Sequence, residues 1–310
     1  MAGERFIARS KVMRALADQI RRFARTDSNV LIAGETGSGK NVVARELHLR
    51  GKRAKQPFVT IDCPSLSSTL IDSELFGHER GAFTDAIAAR AGRFELARSG
   101  TVYLDAVNEL PLDAQSKLLR IVEEKRVERL GAQTSFAITA RVIASTGADI
   151  EDDVRAGRFR HDLFHRLRVL PLRVPPLRER TEDVLPLARY FASRAVAADK
   201  RPAPAFSRDA AEALRDYAWP GNVRELRHAV EIACQTAADT VKLTDLPDEV
   251  LATPTPDDKA PERQPTLDEI ERRYVAATLR AVHGNQTEAA ARLGISRKAL
   301  WEKRKRYGMD

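Results

Sequence analysis

The chain has 310 residues, 31% of them charged and 43% hydrophobic, and its formal net charge is +8 at pH 7. This length predicts two or three domains, and the charge permits a nucleic-acid partner. No apolar run approaches the roughly 20 residues of a membrane span and no signal peptide opens the chain, so we expect a cytoplasmic protein with no membrane partner. Two cysteines, Cys63 and Cys234, are too few for a disulfide framework or metal cluster and are predicted to be buried thiols.

The first predicted elements are a helix and a strand. A helix is predicted over residues 5–25 because apolar residues recur there at helical spacing, at Val12, Leu16, Ile20 and Phe23. A buried strand follows at residues 30–33. The next helical pattern begins at about residue 42, so a short loop must join strand to helix.

That loop has the spacing G-x-x-x-x-G-K. Between a strand and a helix, such glycines let backbone N–H groups converge on phosphate, and the lysine reaches the outer phosphates. The loop therefore predicts nucleotide binding, with an ordinary glycine turn as the alternative. Asn41 stands where a P-loop normally has Ser or Thr to hold Mg²⁺. The candidate phosphate-binding residues are Gly34, Glu35, Thr36, Gly37, Ser38, Gly39, Lys40 and Asn41.

Further apolar runs alternate with helical patterns as far as about residue 174. The runs cover residues 58–61, 101–104, 141–145 and 169–172, and predict a parallel sheet covered on both faces, an α/β domain over residues 1–175. Asp105 directly follows one of these runs, where a carboxylate can hold Mg²⁺ near the phosphates; a helix cap is the alternative.

The rest of the chain is predicted to be helical. After Pro175 and Pro176, helices over 182–196, 208–217 and 222–237, with no strand between them, predict a small helical domain at 176–251. Four prolines among polar residues predict an extended linker at 252–266.

Residues 285–308 have the pattern helix, tight turn, helix, in a C-terminal domain at 267–310. Gly294 falls at the turn and Ser296 can cap the second helix. From residue 285 to the end, seven basic residues face three acidic ones, which suits major-groove entry; a basic solvated helix is the alternative. Such modules work as dimers, and residues 267–281 are the predicted pairing helix. The candidate DNA contacts are Ser296, Arg297, Lys298, Trp301, Lys303, Arg304, Lys305 and Arg306.

Residues 73–86, SELFGHERGAFTDA, closely resemble the sigma-54-contacting loop of bacterial enhancer-binding proteins, the NtrC-like AAA+ activators that use ATP to remodel RNA polymerase holoenzyme. The C-terminal segment resembles the Fis-type helix-turn-helix that ends members of this family. Other segments that resemble the family cover residues 34–40, 92–97, 100–111, 159–167, 174–180 and 219–226.

The resemblance implies a homo-oligomer, a dimer or a hexameric ring, with ATP and Mg²⁺ between neighbouring subunits. It implies an upstream activator site on DNA and sigma-54 RNA polymerase holoenzyme as partners. Arg160 and Arg166 match the arginine fingers that act on the neighbour's nucleotide, and Arg224 matches the lid arginine that senses it. The implied sigma-54 loop consists of Gly81, Ala82, Phe83, Thr84, Asp85 and Ala86.

Departures from the family pattern concentrate on hydrolysis. Ala106 replaces the glutamate that polarises the attacking water, and Asp62 replaces its asparagine partner. We therefore predict a DNA-binding regulator that binds ATP with weak or absent hydrolysis. The alternative is an active ATPase in which another carboxylate, such as Glu109, acts as the base. Further departures are Asn41 for glutamate, Asp85 for glycine, Asn108 for glycine and Gly147 for asparagine.

Overall fold

The computed structural model describes residues 5–66, 71–83, 86–197, 201–251, 275, 278–279 and 285–307. The chain divides into two compact units, Met1–Thr253 and Pro254–Asp310. Within the described ranges, every helix is too short or too polar to cross a bilayer.

The first unit is built on a five-stranded sheet in which all neighbours are parallel. Each strand lies within one residue of its predicted bounds, and the predicted α/β class is confirmed. The carboxyl ends of parallel strands meet at one edge, where ligands usually bind. In spatial order the strands are β2 (Phe58–Asp62), β5 (Thr101–Asp105), β8 (Arg141–Thr146), β1 (Val30–Ala33) and β9 (Leu170–Arg173).

Alternate strand residues enter two separate cores, as expected for a sheet covered on both faces. On β5, Val102 and Leu104 join the larger core, whereas Tyr103 joins the other. On β1, Leu31 faces the larger core, and Val30 and Ile32 face the other.

The first helix is shorter than predicted. It begins at Lys11, because the Ser10 side chain accepts a hydrogen bond from the Met13 amide and fixes the N-cap there. Val12 is 44% exposed, so the prediction that it packs was wrong, and Met13 takes the buried position. The helices of this part are α1 (Lys11–Ala24), α2 (Lys40–Leu49), α3 (Ile71–Phe76), α4 (Arg93–Leu96), α5 (Leu112–Glu124), α6 (Ile150–Arg155) and α7 (His161–Leu167).

Two short antiparallel pairs lie beside the main sheet. They are β3 (Gly77–His78) with β4 (Arg90–Ala91), and β6 (Arg126–Glu128) with β7 (Ser135–Ala137). Both cysteines are buried, as predicted, and burial raises the pKa of the Cys63 thiol to about 12.

The mainly helical part that follows the sheet, residues 177–251, is called the lid here and has its own hydrophobic core. The prediction of helices without an intervening strand was wrong, because β10 (Ala205–Phe206) pairs with β11 (Thr240–Val241). Two-residue strands are too short to give a periodic signal in sequence. Trp219 is fully buried in the lid core, and its indole N–H donates to the Leu214 carbonyl at 2.8 Å. The lid helices are α8 (Val184–Ala195), α9 (Arg208–Asp216), α10 (Asn222–Thr236) and α11 (Asp248–Leu251).

The described part of the second unit is a helix-turn-helix made of α12 (Gln286–Arg292) and α13 (Arg297–Tyr307). Gly294 has a φ of 67°, and Ser296 Oγ accepts from the Ala299 amide at 3.1 Å, so both predicted turn roles are confirmed. The small core is formed by Val275, Ala289, Ala290 and Leu300, with Leu293 packed against it, as the sequence predicted for the last four of these. The predicted linker lies outside the described residues, as does the predicted pairing helix apart from residues 275 and 278–279.

Candidate nucleotide-binding site and associated surfaces

A cleft of about 460 Å³ lies at the carboxyl edge of the sheet, where β1, β2 and β5 end. It brings together many of the predicted nucleotide-binding residues, namely Thr36, Gly37, Gly39, Lys40, Asn41, Asp105 and Arg224. Residues that were not predicted to bind nucleotide complete the wall, namely Val42, Asp62, Pro64, Ala106, Glu109, Phe191, Val223 and Arg227. Gly34, Glu35 and Ser38 do not line it.

The glycine-rich loop is shaped to present its backbone. Gly37 and Gly39 have φ values of 75° and 104°, in the left-handed region that favours glycine, and Gly39 caps α2. The Lys40 ammonium donates to the carbonyls of Gly34 and Glu35 at 2.7 and 3.0 Å. Burial lowers the pKa of Lys40, and the charge of Asp105 opposes that shift. A partly exposed backbone and a half-buried cation fit a polyphosphate.

Asp105 is held by hydroxyl groups at the end of β5. Its Oδ1 accepts from Ser145 Oγ at 2.5 Å and lies 3.0 Å from the Tyr103 hydroxyl. The same hydroxyl lies 2.7 Å from Asn41 Oδ1, so its single proton is shared between two acceptors. Burial and the charge of Asp105 raise the pKa of Tyr103. Asp105 Oδ2 has no hydrogen bond to any described residue, which fits a carboxylate that holds Mg²⁺.

Ala106 has a φ of 53°, and its amide donates to Ser145 Oγ at 3.1 Å. Its methyl group can neither accept nor donate a proton. Glu109 lies on the same wall and accepts from Asn108 Nδ2 at 2.9 Å. Asp62 lines the same cleft and is paired with Asp105 in the β2–β5 register. At Gly147, another departure from the family pattern near this site, an added Cβ would meet no atom within 4 Å.

The Glu35 side chain is turned away from the cleft and towards the lid. Its carboxylate accepts a bidentate pair of hydrogen bonds from Arg178, at 2.8 and 2.5 Å, and a third from Asn222 at 3.1 Å. These hydrogen bonds, led by those from Arg178, lower the pKa of Glu35 to about 2. The Val223 amide also donates to the Gly37 carbonyl at 3.0 Å, so the loop is bound directly to the start of α10. No local sequence pattern predicts this joint, because its partners lie 143 and 187 residues apart along the chain.

A buried arginine supports the loop from below. Arg180 is 4% exposed, donates to the Ser38 carbonyl and lies 3.3 Å from Met13 Sδ. Burial lowers the pKa of Arg180 to about 10, although the charge of Asp183 opposes this. Asp183 in turn accepts from both the amide and the hydroxyl of Ser10. The N-terminus of α1, the loop and the lid thus form one connected hydrogen-bonded support.

Replacing Asn222 with alanine is expected to lower the free energy of unfolding by roughly 2–4 kcal/mol, because it leaves buried polar groups without hydrogen-bond partners. Asn222 is fully buried, accepts from the Leu177 amide at 2.7 Å and donates to the Thr36 carbonyl at 3.1 Å. Its φ of 56° also disfavours alanine. Asn222→Gly tolerates that φ, so it isolates the hydrogen-bond loss and should destabilise less than alanine in urea denaturation. A glycine variant as stable as the parent would contradict this role.

Arg160 and Arg166 do not line the cleft of their own chain. Arg160 pairs with Asp162 at 2.7 Å, and Arg166 pairs with Glu123 at 2.6 Å. Both side chains are exposed, at 41% and 62%. Their assignment as arginine fingers for a neighbouring subunit remains a prediction.

The predicted sigma-54 loop is described at Gly81–Phe83 and at Ala86, whereas Thr84 and Asp85 lie outside the described residues. Gly81 has a φ of 82°, and its amide donates to the Ala86 carbonyl at 2.8 Å, which closes the loop at its base. The Phe83 ring packs against His78 with centroids 5.0 Å apart. Below the loop, Arg129 forms ion pairs with Glu79 and Glu95 at 2.9 and 2.7 Å.

The second helix of the helix-turn-helix presents a basic surface. Trp301 is 56% exposed, and the Lys305 ammonium lies 5.4 Å from its ring centroid. The last turn of α13 contains Arg304, Lys305 and Arg306. The first helix of the pair, α12, is capped by Asn285, whose side chain accepts from the Thr287 amide at 3.1 Å.

A P-loop α/β domain with a helical lid, followed by a helix-turn-helix, defines a class of AAA+ transcription regulators. Residues 6–173 match the sigma-54 interaction domain, 178–263 the AAA+ ATPase lid domain, and 266–307 the bacterial regulatory proteins of the Fis family. The chain belongs to the family of sigma-54-dependent bacterial transcription regulators, as its resemblance predicted.

Relatives and solved structures agree with this membership. The chain is 43% identical over 298 residues to the transcriptional regulatory protein ZraR of Klebsiella oxytoca, covering 95% of this chain and 67% of that protein. It is 42% identical to the alginate biosynthesis regulator AlgB of Pseudomonas aeruginosa, covering 99% and 68%. The crystal structure of NtrX from Brucella abortus in complex with ATP superposes with a TM-score of 0.74 at 32% identity, covering 99% and 70%. The chain thus spans about two thirds of the length of these relatives.

Proposed function

We propose that this chain is a DNA-bound regulator whose AAA+ domain binds ATP with Mg²⁺ and hydrolyses it slowly or not at all. The observation that carries the proposal is the contrast within one cleft. Lys40 and Arg224 bring cations that suit phosphate and Asp105 brings a carboxylate that suits Mg²⁺, whereas the residue after Asp105 is alanine. Binding of ATP by the related NtrX supports the choice of nucleotide.

Mg²⁺ fits the free oxygen of Asp105, and when bound it would neutralise charge on the phosphates. Lys40 would bind the outer phosphates, and the left-handed glycines would offer their amides. Asn41 Oδ1 lies 2.7 Å from the Tyr103 hydroxyl and would bind the metal in competition with that hydrogen bond.

The test is to measure ATP binding and phosphate release on the same preparation, at saturating ATP and under conditions where the protein oligomerises. We expect binding with little release, because loss of a general base typically costs about 10²- to 10⁴-fold in rate. Lys40→Ala should lose binding and serves as the negative control. Release as fast as that of an active family member would refute slow hydrolysis.

An active ATPase is the second candidate function, and the position of Glu109 on the cleft wall favours it. In that case Glu109 supplies the base that Ala106 lacks. Glu109→Gln should then abolish phosphate release and leave ATP binding intact, whereas the leading proposal expects no change from this substitution.

The loop at residues 81–86 and the exposed arginines Arg160 and Arg166 suggest two protein partners. We propose that the loop at residues 81–86 contacts sigma-54 holoenzyme. Arg160 and Arg166 are proposed to reach the nucleotide of a neighbouring subunit in a homo-oligomer. The protein is proposed to act in the cytoplasm. The hydrogen bond from the Gly81 amide to the Ala86 carbonyl closes the base of this loop and supports the first assignment. The exposure of both arginines outside their own cleft supports the second.

The helix-turn-helix is proposed to bind an upstream activator site. Removal of residues 266–310 should abolish specific DNA binding and leave ATP binding intact. Specific binding retained by the truncated protein would refute the assignment.

Substitutions on α13 should separate base contacts from phosphate contacts. Arg297→Ala, at the start of the helix, is expected to cost about 1–3 kcal/mol and to relax sequence preference. Lys303→Ala should weaken all sequences equally and reduce the slope of log affinity against log salt by about 1. Fluorescence anisotropy with specific and scrambled duplexes across a salt series measures both. Equal effects of the two variants on specificity would contradict this division.

A further inference from the structure

We propose that His161 and His165 form a binding site for a first-row transition-metal dication such as Zn²⁺, Ni²⁺ or Cu²⁺. The two residues stand four apart on α7, and their Nε2 atoms lie 3.1 Å apart. Their ring centroids are 4.3 Å apart. Neither residue takes part in the nucleotide cleft, so the proposal is independent of the proposed function.

The separation of the two nitrogens matches a shared metal ion. With metal–nitrogen bonds of about 2.0–2.1 Å, two ligands on one metal are separated by about 2.9 Å at a right angle and about 3.4 Å at a tetrahedral angle. The observed 3.1 Å lies between these values. At present one Nε2–H donates to the other Nε2, and a cation would take the place of that proton.

The site is preorganised by the helix that carries it. Leu163, Phe164 and Leu167 bury the opposite face of α7 in the larger core, while both histidines are exposed. The helix backbone that carries both imidazoles is therefore fixed before a metal binds, and water can complete the coordination sphere. Among the described residues no third histidine, cysteine or carboxylate joins the pair to form a larger cluster, so this chain supplies two ligands.

The electrostatic surroundings tolerate a dication. Arg160 and Arg166 flank the pair, but carboxylates neutralise both, Asp162 for the first and Glu123 for the second. The two cysteine thiols, which could compete for the metal ion, are poor ligands here. Cys63 and Cys234 are buried, and burial raises the pKa of each thiol. If the two arginines act on a neighbouring nucleotide, as proposed above, the metal would lie beside that contact.

The test is titration of the tag-free full chain at about pH 7.5 with each metal alone, by calorimetry or equilibrium dialysis. We expect one ion per chain, with Cu²⁺ bound more tightly than Ni²⁺ or Zn²⁺ and with no binding of Mg²⁺ at this site. His161→Ala and His165→Ala should each weaken binding by at least about tenfold, since each removes half of the protein ligands. His228→Ala removes an exposed histidine on α10 and should change nothing.

Circular dichroism establishes that each variant is folded, and the Cu²⁺ spectrum gives an independent measure. The electron paramagnetic resonance signal of the parent should show coupling to two nitrogens, and that of each single variant to one. Absence of Zn²⁺, Ni²⁺ and Cu²⁺ binding would overturn the proposal, as would binding that survives both histidine substitutions.

Discussion

Ala106→Glu is expected to raise the rate of ATP hydrolysis by about 10²- to 10⁴-fold, because it restores a general base beside Asp105. Ala106 lines the cleft and already has a φ of 53°. Glutamate therefore adds little backbone strain, since alanine has a Cβ in the same left-handed conformation. Phosphate release at saturating ATP measures the gain, with ATP affinity measured alongside.

Ala106→Gln is the matched control, because glutamine has the same length but cannot accept the proton. A glutamate variant no faster than the glutamine variant would contradict the proposed cause of slow hydrolysis. The double variant with Asp62→Asn should be faster than Ala106→Glu alone. Asp62 faces the same cleft, and an asparagine there can donate a hydrogen bond that orients the new carboxylate.

Gly37→Ala is expected to lower ATP affinity by about a hundredfold, which corresponds to about 2.7 kcal/mol. A Cβ at Gly37 would lie 2.3 Å from the Gly221 carbonyl oxygen and 3.2 Å from Arg224 Cβ. Either the lid or the loop must move, and the φ of 75° adds strain. Calorimetric titration with ATP measures the loss, and the thermal midpoint of the free protein should fall as well.

Gly39→Ala separates the steric clash from the strain. Gly39 also has a positive φ, but a Cβ there meets no atom within 4 Å. Only the backbone cost of about 1–2 kcal/mol remains, so affinity should fall about tenfold. Equal losses at the two glycines would show that contact with the lid does not matter for binding.

Much of the architecture follows from local sequence signals. Each strand of the main sheet is a short apolar run because both of its faces are buried, and such runs are recognisable without any partner. The same holds for the loop ending at Lys40, whose conformation depends on glycines within a few residues. The turn at Gly294 is another local feature, and its φ of 67° agrees with its position in the sequence.

The features that the sequence did not reveal depend on distant partners. The side chain of Glu35 was predicted to serve the nucleotide, yet it binds Arg178 and Asn222, which are 143 and 187 residues away. Tyr103 lies in an apolar run and is buried in the core, yet its hydroxyl reaches both Asn41 and Asp105. Val12 and Met13 are adjacent and both apolar, so periodicity alone did not decide which one packs.

The chain contains two tryptophans, and they lie in opposite surroundings. Trp219 is fully buried, two residues from the glycine that abuts the loop, whereas Trp301 is 56% exposed on the basic helix. Each compact unit thus carries its own intrinsic fluorophore. Emission from Trp219 should be blue-shifted and should respond to movement of the lid, whereas emission from Trp301 should be red-shifted and quenched by DNA. Two single-tryptophan variants would follow both binding events in solution without any attached dye.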